Sequence, residues 1–235
     1  MLAAQHIPLG VQAAWQASAA EAWPGLTADA ATWACCATAL AQFFEACRLQ
    51  RRHGPCALPS RAADSVWHVW LAVDAAGLAA WQHELFGEAV AHRESADLGA
   101  ALESCLARTL VGASRAEGRS VLDGRLPLVF ALDGDLRLPT GWAYAREGGR
   151  VVHRQIDGFG RPGAAAHAHA ALSHVGLAGL GLLSSAEIER LRRASNHGSD
   201  GGLIGTAATG PGCSDSSSDG GSDGGSCGSS CGGGD

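Results

Sequence analysis

The side chains best placed to do chemistry in this 235-residue chain lie in Pro59-Ser60-Arg61-Ala62-Ala63-Asp64-Ser65-Val66-Trp67-His68, with Leu85-Phe86-Gly87 and His92 following. If residues 60–73 are helical, Asp64 and His68 stand at i and i+4 on one face. A carboxylate in that position can hold the imidazole, fix its tautomer and direct the other ring nitrogen at a metal, a substrate or a backbone carbonyl. Asp64, His68 and His92, joined by His83 or a cysteine of the preceding helix, would form the ligand set of a zinc-like ion. The competing reading makes Asp64 and His68 a buried polar pair that locks one helix to its neighbours while Trp67 and Trp70 fill the core. A metal needs three or four ligands meeting at one point, so the sequence by itself favours the structural pair.

A second set of reactive side chains, Cys213, Cys227 and Cys231, sits isolated among Gly, Ser and Asp in residues 196–235. Such a segment buries too little to offset the entropy of ordering and is expected to be a disordered tail. It reads first as a plain solubilising tail. Two alternatives stay open: a thiolate clamp for a soft metal ion, and a precursor segment resembling the core peptides of thiazole/oxazole-modified microcins. In the latter, glycine leaves the preceding carbonyl open to attack by a Cys or Ser side chain.

Other motifs carry less. His167, His169 and His174 lie in Ala-Ala-Ala-His-Ala-His-Ala and its continuation. His-x-His faces a metal from one side only on extended backbone, whereas the alanines favour helix, so a helix surface is expected there. Gly158, Gly160 and Gly163 match a dinucleotide-binding string without a surrounding βαβ unit and read as a turn. His-Glu-x-x-His and Cys-x-x-Cys are absent, and the Gly-x-Ser-x-Gly at Gly220–Gly224 lies in the tail. An enzyme is therefore the less favoured expectation.

Composition narrows the classes further. All 17 basic residues are arginine, which excludes a P-loop lysine or a Schiff base. Of the formal charge of -6, Asp200, Asp215, Asp219, Asp223 and Asp235 account for five, leaving the body near neutral. Neither part offers the basic field that nucleic acid or a membrane surface requires. No run approaches a spanning helix and no export signal stands at the N-terminus, so a cytoplasmic location is expected, in which the eight cysteines do not form a disulfide framework and the first five read as free buried thiols.

Periodicity supplies the elements that must position these groups. Apolar residues at helical spacing predict helices over 11–22, 28–49, 60–73, 78–92 and 98–111, with Pro24-Gly25 and His53-Gly54-Pro55 as breaks and Ser60 as an N-cap. Leu128-Val129-Phe130 and Val151-Val152 predict a small β-hairpin element within 126–156, and the apolar strip Val175–Leu183 a buried turn or hairpin. Ser184 and Glu187 have capping-box spacing before a last helix reaching about Ala194. The expected fold is mainly α: a helical domain, 1–195, with a short β element, then the tail.

Pro59-Ser60, Asp64, Trp67-His68, Phe86-Gly87 and His92, with Phe43-Phe44 ahead of them, also resemble the core pattern of the bacterial glycine-rich domain-containing proteins, over residues 40–93. The Cys/Gly-rich ending is a second likeness to that family. Trp70 stands where the family pattern has the second His of Trp-His-x-His, and Trp81 falls near its tyrosine. The resemblance implies an organisation rather than a reaction, the family's biochemical role being uncharacterised. The chain is thus expected to be a non-enzymatic binding or interaction protein, with a protein partner or modifying enzyme. The alternatives are a metal-binding protein, using Asp64/His68/His92 or the tail thiols, and a precursor whose tail is modified.

Overall fold

The computed structural model of the chain describes residues 3–197. The tail readings, Cys213, Cys227 and Cys231 included, fall outside the described residues. Among these residues the order is α1 (Leu9–Ala22), α2 (Ala30–Gln50), α3 (Arg61–Phe86), α4 (Leu102–Ala116), α5 (Leu128–Asp135), β1 (Trp142–Glu147), β2 (Arg150–Gln155), β3 (His167–Ser173), α6 (His174–Gly179) and α7 (Ser185–His197). The architecture is mainly helical with a small antiparallel sheet in the order β1-β2-β3. None of these helices is long and apolar enough to cross a membrane.

The central element is α2. Ala37, Ala39, Ala41 and Ala46 are buried together with Leu40, Phe43 and Phe44, so α3, α4 and α5 can pack around it, while α1 packs on α3. Its start is set locally: the Asp29 carboxylate accepts the Thr32 N–H at 2.8 Å, and that bond, with the Thr27 and Thr32 hydroxyls, draws the carboxyl down to about 2.

Two predicted helices, 60–73 and 78–92, are one bent element. In α3 Asp74 leaves helical geometry (φ -157°, ψ 78°), and its carboxylate accepts the Gly77 N–H at 2.8 Å, so an internal N-cap restarts the helix after the bend. The second half stops earlier than expected. Gly87 adopts φ 84°, and its N–H closes on the His83 carbonyl at 3.0 Å, which ends the helix and leaves His92 in a loop.

The β assignments shift. Leu128-Val129-Phe130, with its β-like run of residues, forms the first turn of α5, because tertiary acceptors serve its free N–H groups: Leu128 donates to Glu117 Oε1 at 3.0 Å and Val129 to Gln42 Oε1 at 2.8 Å. The hairpin lies later, with Gly148 and Gly149 (φ 54° and 77°) making the β1–β2 turn and Trp142 to Glu147 pairing with Gln155 to Arg150. The Ala/His run 167–173, expected on a helix surface, is strand β3, since β2 supplies ladder partners for its backbone. The strip Val175–Leu183 is α6 and the turn after it, with Leu177, Leu182 and Leu183 buried and Val175 exposed.

The Ser184–Glu187 capping box forms: the Glu187 N–H donates to Ser184 Oγ at 3.3 Å, and Glu187 Oε2 accepts the Ser184 N–H at 2.8 Å. Burial pushes the Glu187 carboxyl up, yet hydrogen bonds from Ser120, Ser184 and the Val121 N–H outweigh it and hold it below its ordinary 4.5. A depressed folded value contributes stability above pH 4.5 that is lost as pH falls through the folded value. The stability of the native chain is therefore expected to fall more steeply on acidification below that point than that of Glu187→Gln. Parallel slopes in urea titrations across this range would refute this role.

Candidate metal centre

The N-terminal end of α3 is held by residues far away in sequence. The Ser60 hydroxyl accepts the Ala63 N–H at 3.1 Å, as its capping position predicts, and donates to Asp133 Oδ1 at 2.6 Å. Asp133, buried in α5, also accepts the N–H of Arg61 at 3.0 Å, of Ala62 at 3.1 Å and of Trp142 at 3.3 Å. One carboxylate thus caps α3 and joins it to α5 and β1. Sequence reasoning missed it, although an acid placed directly after the apolar run Leu128–Leu132 was a signal that it had partners.

From this anchored start, Asp64 on the first turn of α3 and His68 on the next face the same way, as their spacing predicts. Asp64 Oδ2 lies 3.2 Å from His68 Nε2, and Oδ1 lies 3.0 Å from His92 Nε2. His92 arrives from the loop after α3, which is pinned where the Val90 N–H donates to Gln82 Oε1 at 3.0 Å. The Trp67 ring meets His92 edge-on, with centroids 4.7 Å apart, and the two imidazoles lie 4.5 Å apart. One ligand atom from each of Asp64, His68 and His92 lies within 4.8 Å of the other two. His83 and the α2 cysteines do not join this group.

The expectation of a buried polar pair is corrected: the side chains of Asp64 and His68 are 33% and 48% exposed, and that of His92 is 22% exposed. They stand at the mouth of a cleft because Asp64 and His68 lie on the face of α3 that points away from the apolar stripe covered by α2, and the loop brings His92 to that face. Trp67 and Trp70 do fill the core as expected. Trp70, at the position of the resemblance's second His, packs on Trp81 with centroids 4.9 Å apart, so the second imidazole of the group is that of His92.

The cleft, about 330 Å³, has a second wall built by the sheet: Trp142, Tyr144, His153 and His169 line it alongside Asp64, His68 and His92. His153 pairs with His167 across β2–β3, and its ring stacks on His169 at 4.8 Å with 13° between planes. Burial, then the neighbouring His169 and His167, lowers the pKa of His153, which favours the neutral ring. His174 belongs elsewhere, in a groove with Gly149 and Val175. Cys56 lines the same cleft; a hydrogen bond with the Cys47 thiol lowers its pKa and raises that of Cys47. All five described cysteines are free thiols; Cys35 is exposed, against expectation, since it lies on the solvent side of α2.

Two imidazoles and a carboxylate suit zinc or ferrous iron, and three protein ligands leave coordination positions open to water or an added ligand. No curated protein and no solved structure matches the chain. A family model described as UCP032817-like, an uncharacterised family, matches residues 12–167, which span α2, α3, the His92 loop and the start of β3. With that match extending over more than half of its 235 residues, the chain belongs to the UCP032817-like family.

Proposed function

We propose that the protein binds a divalent transition-metal ion through Asp64, His68 and His92. The observation that carries this reading is the convergence of three ligand atoms within 4.8 Å from two chain segments, at the mouth of a cleft. Half-exposed hydrogen bonds between carboxylate and imidazole contribute little to stability, on the order of 0–1 kcal/mol, so a purely structural role is a weak account of the arrangement.

Zinc and iron content of the full-length chain, purified without chelator, tests the reading together with its melting temperature before and after chelation. The native chain and a Cys213/Cys227/Cys231→Ser variant are expected to retain about one ion and to lose several degrees on chelation, because an ion that binds only the folded state stabilises it. Asp64→Ala and His92→Ala are expected to lose the ion. Metal retained by both variants, or lost with the tail cysteines alone, would overturn the proposal.

A further inference from the structure

Nothing in the proposed metal site by itself says why it opens into a cleft whose far wall is histidine and aromatic. The charged side chains lining the cleft are Arg61, Arg93, Asp64 and Glu94, two of each sign. A divalent ion on Asp64 would therefore leave the lining with a formal surplus of two positive charges, a field that favours an anion. Glu103 lies just outside this lining, 4.0 Å from His169, and trims the surplus without reversing it. Two nitrogens in the walls also lack partners: the indole N–H of Trp67 and Nδ1 of His153 are buried and make no hydrogen bond among the described residues.

From these observations we infer that the cleft is the binding site for a small organic acid. Its carboxylate or phosphate would occupy the open coordination positions of the ion, and its apolar part would lie against the aromatic rings of the walls. The inference rests on the proposed metal site. A cleft of about 330 Å³ is at the small end of the range for small-molecule sites, roughly 300–1,000 Å³, so the ligand is a compact metabolite and not a polymer. Arg61, exposed at the start of α3 and hydrogen-bonded only to the Thr140 carbonyl at 3.4 Å through its side chain, is free to turn toward the acid group.

The test uses calorimetric titration of the full-length protein, zinc-loaded and zinc-free, with benzoate, phenyl phosphate and uncharged benzyl alcohol. Zinc uptake is measured first in the same samples. One or both acids are expected to bind the zinc-loaded protein at least tenfold more tightly than the zinc-free protein, with benzyl alcohol far weaker. Whichever acid binds more tightly distinguishes a carboxylate from a phosphate ligand. Arg61→Gln and His153→Ala are expected to weaken acid binding at least threefold with zinc content unchanged. Zinc uptake without acid binding, equal binding of acid and alcohol, or acid binding indifferent to zinc overturns this inference alone. Failure to take up zinc overturns the metal proposal, and this inference with it.

Discussion

Asp133→Ala is expected to destabilise the fold by about 3–5 kcal/mol, at about 1–3 kcal/mol for each buried donor left unsatisfied. The side chain is buried and accepts from the Ser60 hydroxyl and from the N–H groups of Arg61, Ala62 and Trp142. Its loss strands the Ser60 hydroxyl and the Ala62 N–H where water has little access, leaves the partly buried N–H groups of Arg61 and Trp142 without this acceptor, and removes a carboxylate from the positive end of α3. For a chain of this size that corresponds to a fall in melting temperature on the order of 10 °C. Asp133→Asn keeps one acceptor oxygen and is expected to cost less than the alanine variant. Urea unfolding of the three proteins checks the order; a cost below about 1 kcal/mol for Asp133→Ala would rule out the anchoring role. Because the same carboxylate places the turn bearing Asp64 and His68, metal retention is expected to weaken in step with stability.

Gly112→Val is expected to be the second severe substitution. α4 crosses α2 so closely that a Cβ at Gly112 would stand 2.8 Å from both Cα and Cβ of Ala46 and 2.9 Å from its carbonyl oxygen. These are atoms of the central helix and cannot rotate away, so the helices must separate. Overpacking of this kind costs about 1–3 kcal/mol, and a branched side chain falls at or beyond the upper end. Gly10 provides the contrast. It lies in α1 with nothing within 4 Å of its Cβ position, and Gly10→Ala is expected to be neutral or to stabilise by up to ~1 kcal/mol through helix propensity. Equal effects of the two substitutions on the unfolding midpoint would contradict the close approach.

The candidate metal site and the anchor beneath it differ in how they could be found. Asp64 and His68 are paired by the period of one helix, and Ser60 announces the start of that helix, so both follow from residues within a few positions of each other. His92 matched a pattern, yet its expected place on a helix was wrong, because Gly87 ends α3 first. Asp133 is 73 residues from the hydroxyl it accepts from. No local periodicity encodes such a partnership.

The sequence alone therefore determined what depends on short-range forces: the largely helical class, the breaks at Pro24-Gly25 and His53-Gly54-Pro55, the caps at Ser60 and Ser184, the buried Trp67 and Trp70, and the shared face of Asp64 and His68. Tertiary structure decided what depends on groups brought in from afar. Gln42 and Glu117 cap residues 128–129 and turn a β-like run into helix, while pairing with β2 draws an alanine-rich segment with helical propensity into a strand. That strand places His169 beside His153 on the wall facing Asp64, and the closed loop after α3 delivers His92. Local propensities amount to a few tenths of a kcal/mol per residue, whereas satisfying a buried donor or completing a ladder is worth more, so long-range partners prevail wherever the two conflict.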